Sequence, residues 1–287
     1  MKSYLSLIKF SHTIFALPFA LIGFTLGFVQ QRPENYAILL LCVVLCMVFG
    51  RSAAMAFNRW LDRDIDATNP RTIQRELPAG IITAKSALWF VITNCLLFVL
   101  TTYFINPLCF ALSPIALIVI LGYSYTKRFT LLCHLVLGIG LALAPVGAYL
   151  AIVGRFDIVP VLIGLGVMFW VAGFDIIYAL QDQEFDKSKG LNSIPVLFGT
   201  AKSMRISELF HVFTAILMTW ALYLIYLNTG MLSNIGILGM IVFLCLLIYQ
   251  HIIISVDDLS RVNVSFFTTN GLASVVFGTL LIFDLLF

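Results

Sequence analysis

YAILLLCVVLCMVFGRSAAMAFNRWLDRDIDATNPRT, residues 36–72, is the stretch on which the fold turns. Its first part, 36–57, is an apolar run broken only by Arg51 and Ser52. About 20 such residues cross the ~30 Å hydrocarbon core of a bilayer. The run is continuous rather than alternating, which selects a helix over a barrel strand. No water is available at that depth, so the backbone groups must pair within the segment. The character then reverses: Asn58, Asp62 and Asp66 follow at i, i+4 and i+8. On a helix these side chains stack along one face, with neighbours roughly 5–6 Å apart between Cβ atoms.

The same succession occurs again later in the chain. The apolar run 158–180 leads into YALQDQEFD, where Asp182 and Asp186 repeat the i, i+4 spacing 120 positions after Asp62 and Asp66. The whole chain of 287 residues is 61% hydrophobic and 11% charged, more apolar surface than a soluble domain of this length can hide. The expected class is an all-α polytopic membrane protein. Nine spans are predicted in one domain covering 1–287, at about 10–29, 36–57, 86–104, 107–125, 131–153, 158–180, 206–227, 235–256 and 264–287. The first follows Lys2 and Lys9 as a signal peptide would. It is long, has no small-x-small cleavage site and is followed by similar runs, so it reads as a span.

Two long charged segments, 58–85 and 181–205, follow the second and sixth spans and so cap the same side. Fourteen of the 17 Lys and Arg residues lie on that side, which by the positive-inside bias puts the N-terminus and both acidic clusters in the cytoplasm. ELPAGIITAKSA (76–87) and SIPVLFGTAKSM (193–204) share a proline and TAKS at an offset of 117, each after an acidic cluster. This predicts two parallel, pseudo-repeated halves with a site between them.

In the second cluster Asp175, Tyr178, Asp182 and Asp186 follow i, i+3, i+7 and i+11 and share one helix face. Asp175 is the deepest, where an ionised acid costs ~2.5–3.5 kcal/mol on insertion scales and needs a partner or a purpose. Two carboxylate faces at one membrane surface suit Mg²⁺, which binds one or two carboxylates together with substrate phosphates. Such ions would neutralise a diphosphate leaving group without an enzyme nucleophile. Arg51 lies two turns deeper than Asn58 on the same face, and Tyr123 precedes Lys127 by one turn. Lys127 and Arg128 read equally as membrane anchors or as site residues, and Arg71 and Arg75 as loop charges or diphosphate donors. His12, His134, His211 and His251 are scattered, and no GxSxG, GxGxxG or P-loop motif appears. The six cysteines lie in apolar runs without a CxxC pair and read as packing residues. A rival class is an ion-coupled transporter. Its charges would gather near the bilayer midplane, whereas these acids gather at one face.

The sequence resembles the UbiA-type intramembrane aromatic prenyltransferases, the family typified by 4-hydroxybenzoate polyprenyltransferase. Its first motif, NDxxDxxxD, is similar to Asn58, Asp62 and Asp66, and its second, DxxxD, to Asp182 and Asp186 within DIIYALQDQEFD. NPRT (69–72), YxxxKR (123–128) and HTIFALPFA (12–20) resemble it as well. Arg59 replaces the motif's Asp. That position lies about 100° around the helix from Asn58, so the metal face is expected to survive the change.

The resemblance implies a multi-pass enzyme of the bacterial cytoplasmic (inner) membrane with a central cavity facing the cytoplasm. Its Mg²⁺ would be held by Asp62, Asp66, Asp182 and Asp186. Asn58, Arg71 and Lys127 would bind diphosphate, with Tyr123 and Arg51 lining the pocket. Asp175 and Tyr178 would orient an aromatic acceptor or stabilise an allylic cation. The implied substrates are a polyprenyl diphosphate and a small aromatic acid of the 4-hydroxybenzoate type. The alternative acceptor is 1,4-dihydroxy-6-naphthoate, the first serving ubiquinone and the second menaquinone. The lipid bilayer is the remaining partner; neither nucleic acid nor an obligate protein partner is expected.

Overall fold

The computed structural model describes residues 2–7, 15–230, 232–256 and 258–287. Residues 8–14, which include the start of the first expected span and of HTIFALPFA, lie outside the described residues. In chain order the helices are α1 (Lys2–Leu7), α2 (Leu17–Gln31), α3 (Tyr36–Leu61), α4 (Arg63–Asp66), α5 (Ala84–Tyr103) and α6 (Pro107–Thr126). They continue with α7 (Cys133–Val153), α8 (Ile158–Ala179), α9 (Gln183–Ser188), α10 (Ile194–Thr229), α11 (Asn234–Ile252) and α12 (Asn270–Leu286). No strand occurs among the described residues. Among the described residues eight helices are long and apolar enough to cross a membrane, and α2 is a shorter apolar helix. This is a multi-pass membrane protein.

Local chemistry sets the helix ends. Asn106 and Ser193 side chains accept backbone N–H groups at the starts of α6 and α10, each followed by a proline in the first turn. The first TAKS segment opens α5, with the Thr83 side chain accepting from Ser86 N–H. The second copy opens the long part of α10. That helix starts at Ile194, well before the expected 206, because Ser193 and Pro195 nucleate a first turn. The chain then breaks at Gly199, whose φ of 75° and ψ of 172° suit only glycine. The last span begins as a π-helical turn, Val264–Thr269, before α12.

α8 is the central helix, two-thirds buried along its apolar window and packed against α7 and α10. Between lipid-bathed helices apolar burial gives little net drive, so close contact depends on small residues. A Cβ at Gly138 of α7 would lie 2.3 Å from the Met168 carbonyl oxygen of α8, and one at Gly23 of α2 would lie 2.0 Å from that of Pro145. An aromatic core of Phe19, Trp170, Phe243 and Phe277 ties α2, α8, α11 and α12 together. The Trp170 indole is satisfied there by donating to Asn270 Oδ1 at 2.9 Å. The expected pseudo-repeat is present in the packing. The pairs α2–α3, α3–α5 and α5–α6 recur as α7–α8, α8–α10 and α10–α11.

Candidate active site

The two acidic clusters sit at matching joints. α3 stops at Leu61, Asp62 adopts φ −92° and ψ 6°, and α4 resumes. α8 stops at Ala179, a 3₁₀ turn follows, and Asp182 adopts φ −105° and ψ 4° before α9. Helical hydrogen bonds still run through the first joint, from Asp62 N–H to Asn58 O (2.9 Å) and from Asp66 N–H to Asp62 O (2.7 Å). The stacking expected from the spacing therefore persists, and Asn58 Nδ2 donates to Asp62 Oδ2 at 3.2 Å.

A cavity of about 720 Å³ collects the residues selected from sequence: Arg51, Asn58, Asp62, Asp66, Arg71, Tyr123, Lys127, Asp175, Tyr178, Asp182 and Asp186 all line it. Each carboxylate meets a base. Arg128 donates to Asp62 at 2.8 Å, Arg75 to both oxygens of Asp66 at 2.8 Å, and Lys127 lies 2.8 Å from Asp186. Arg71 forks onto Asp182, its Nε at 2.9 Å from Oδ1, and its Nη1 reaches the Tyr178 hydroxyl at 2.8 Å. Lys127 and Arg128 are chain neighbours, yet one serves the second cluster and the other the first. They stand between the two clusters and hold them across one mouth.

Asn69, the first residue of NPRT, has a linking role that spacing did not reveal. Its Oδ1 accepts the Arg71 N–H at 2.9 Å and its Nδ2 lies 3.4 Å from Asp182 Oδ1. Phe266, presented by the π-helical turn, stacks on Tyr178 with ring centroids 4.1 Å apart. Burial pushes the Asp62 carboxyl above the ordinary carboxylate range, and Arg128 against it pulls it part of the way back.

Two sequence readings are corrected. His134, taken as one of four scattered histidines, is buried on α7 with Nδ1 2.7 Å from Asp175 Oδ2. The contact joins residues 41 positions apart, so spacing carried no sign of it. Arg59, expected to point off the metal face, also lines the cavity and is 7% exposed. The reason is the loop after α4. Thr72 donates to Asp66 O, Arg75 grips the Asp66 carboxylate, and the chain folds back over the flank of α3. The cavity therefore wraps more of the helix than one face.

Deeper in the protein the cavity meets an apolar pocket of about 340 Å³. The two share Arg51, Met55, Tyr123, Leu137 and Leu141, and the pocket extends past Phe98 to Ile105 and Phe156. The donor set at the mouth, four carboxylates and an Asn amide, is hard oxygen of the kind Mg²⁺ takes. Among the described residues no three His, Cys, Asp or Glu side chains converge to cage an ion.

The sequence pattern of the UbiA prenyltransferase family matches residues 16–272. A relative, the 4-hydroxybenzoate octaprenyltransferase of Vesicomyosocius okutanii, is 32% identical over 179 residues, 62% of this chain and 66% of the relative. Across the first four curated relatives, all of that name, the matched stretch spans between 56% and 76% of the relative's length. Among solved structures, the apo structure of a UbiA homolog from Aeropyrum pernix K1 superposes with a TM-score of 0.83 at 31% identity, covering 96% of this chain and 98% of that one. A UbiA homolog from Archaeoglobus fulgidus bound to DMAPP and Mg²⁺ has a TM-score of 0.70 at 25% identity, with 99% of each chain covered.

Proposed function

Because this chain belongs to the UbiA prenyltransferase family, we propose that it transfers the prenyl group of a polyprenyl diphosphate to a small aromatic acid of the 4-hydroxybenzoate type. The cofactor in this reading is Mg²⁺ and the setting is the bacterial inner membrane, with the cavity mouth towards the cytoplasm. One observation carries the reading. Two acidic pairs, joined through the neighbours Lys127 and Arg128, form a polar mouth above an apolar pocket that reaches deep between the helices. That is the shape of a substrate with a charged head and a long hydrocarbon tail. The named relatives and the Mg²⁺-bound structural neighbour support the chemistry, and the one-sided Lys and Arg distribution supports the orientation. The acids stand at helix ends rather than at mid-span, which favours an enzyme over an ion carrier.

Asp62, Asp66, Asp182 and Asp186 would hold Mg²⁺ together with the diphosphate, and the bound ion would neutralise charge developing on the leaving group. Asn58, Arg71 and Lys127 contribute N–H donors for the diphosphate oxygens at the same mouth. The bond from C1 of the prenyl chain to oxygen breaks with its electron pair leaving on the diphosphate. Tyr178 and Phe266, packed ring against ring in the cavity wall, would stabilise the allylic cation. Arg51, at the boundary with the apolar pocket, suits the carboxylate of the acceptor, and Tyr123 beside it walls the junction. Asp175 orients the acceptor ring. The ring carbon beside the hydroxyl then bonds to C1 and releases its proton.

The test is direct. The purified protein receives Mg²⁺ and a labelled polyprenyl diphosphate, with 4-hydroxybenzoate and 1,4-dihydroxy-6-naphthoate in separate reactions. Prenylated hydroxybenzoate that vanishes with EDTA is the expected result. Product from the naphthoate alone would refute the hydroxybenzoate acceptor, and product from neither would refute both acceptors.

A further inference from the structure

Five basic side chains in the cavity face a carboxylate: Arg71, Arg75, Lys127, Arg128 and His134. Arg51 and Arg59 do not. We propose that Arg59 binds the diphosphate of the allylic substrate, as a built-in cation that shares with bound metal the work of holding the leaving group. This rests on the proposed reaction and adds a ligand to its substrate site.

The surroundings of Arg59 lead to this assignment. The ionisable groups acting on it are Arg75, Asp66, Tyr123 and Glu76. Both acids are engaged elsewhere: Asp66 takes both its bonds from Arg75 at 2.8 Å, and Glu76 accepts from Ser6 Oγ at 2.5 Å. No hydrogen bond or ion pair to Arg59 occurs among the described residues. Arg59 is 7% exposed, it opens onto the cavity it lines, and no carboxylate among the described residues contacts it, so an anion entering that cavity supplies the partner it lacks. Arg59 lies on the last turn of α3, between Asn58 and Asp62, at the level of the acidic clusters. Arg51 is two turns deeper, against the apolar pocket, where a ring carboxylate fits better than a diphosphate. The planar fork of a guanidinium matches two phosphate oxygens at once, which an ammonium does not. A cation between Asn58 and Asp62 also lowers the repulsion that four carboxylates exert on an incoming diphosphate. Binding should therefore depend less steeply on Mg²⁺ than it would with a neutral or acidic residue there.

The experiment titrates the full chain in detergent with inorganic pyrophosphate and with geranyl diphosphate, at low and at saturating Mg²⁺. Arg59→Met should weaken binding of both about 10- to 100-fold at low Mg²⁺, and less at saturating Mg²⁺. The KM for the aromatic acid should stay unchanged. Wild-type affinity in folded Arg59→Met overturns the proposal. If Arg59→Met does not purify as a folded protein, Arg59→Lys decides. It keeps the charge and loses the fork, so affinity should drop about 3- to 10-fold, and undiminished affinity again overturns the proposal. The two readings fail separately. A wild type that binds diphosphate yet prenylates no aromatic acid refutes the reaction, while the Arg59 titration still stands. An active wild type with unaltered diphosphate affinity in Arg59→Met refutes only the role of Arg59.

Discussion

An alanine at position 138 would place its Cβ 2.3 Å from the carbonyl oxygen of Met168. Ordinary contact begins at 3.4 Å, so α7 and α8 would have to part by 1.1 Å. The obstacle is backbone, and no side-chain rotation relieves it. Gly138 lies one turn from His134 on α7, and Met168 two turns from Asp175 on α8. Parting the helices by that amount stretches the 2.7 Å contact between His134 and Asp175 to about 3.8 Å, past hydrogen-bond reach. Overpacking of this kind costs about 1–3 kcal/mol, and a misplacement of ~1 Å at a reacting group costs about 100-fold in rate. Gly138→Ala should therefore melt earlier in detergent and lose about two orders of magnitude in prenyl transfer. Gly122→Ala on α6 is the control, because its Cβ would meet nothing within 4 Å. Wild-type melting and turnover in Gly138→Ala would refute the reasoning, as would an equal loss in Gly122→Ala.

The charge pairs make further predictions. Asp62 must be ionised to hold a metal, and burial already lifts its carboxyl while Arg128 lowers it. Arg128→Met should lift it further and move the acid limb of the pH–rate profile to higher pH. A raised carboxyl stabilises the fold at low pH and loses that contribution as pH rises through its folded value. The variant's melting deficit should therefore be larger at pH 8 than at pH 5. Lys127→Met leaves Asp186, 2% exposed, without its partner, at a cost of about 3 kcal/mol, the low end for a broken buried pair because the lysine is half-exposed. The double variant Lys127→Met with Asp186→Asn should recover most of that stability but no transfer; a denaturant double-mutant cycle with no coupling would contradict the pairing. His134→Ala should lower kcat/KM for the aromatic acid and leave the KM for prenyl diphosphate alone. His134→Asn, which keeps a donor near the Nδ1 position, should restore part of it in steady-state assays.

Everything that depends on neighbours along one helix could be read in advance. The stack of Asn58, Asp62 and Asp66, and the shared face of Asp175, Tyr178, Asp182 and Asp186, follow from a period of 3.6 residues. Backbone hydrogen bonding runs on through both joints, from Asp62 N–H to Asn58 O at the first and from Gln183 N–H to Leu180 O in the 3₁₀ turn at the second. Long-range partners could not be read this way. His134 and Asp175 are 41 positions apart, and Arg71 and Asp182 are 111 apart. Loop cations such as Arg75 and Arg128 look like any surface charge until the chain folds back. Arg59 shows the limit most clearly. Helical geometry turns it away from Asn58, but the loop bearing Arg75 and Glu76 closes over that flank and encloses it.

Taken alone, the sequence determined the membrane class, the helical spans, the two acidic faces and their common side. Each of these is set by the free energy of moving a local segment from water into hydrocarbon, with helical periodicity distributing the exceptions. Only the tertiary structure decided which base meets which acid, that Lys127 and Arg128 serve opposite clusters, and that the polar mouth opens onto an apolar pocket. Those are properties of how helices approach one another. The approach is set by small residues such as Gly23 and Gly138, whose partners lie on other helices and leave no periodic trace in the chain.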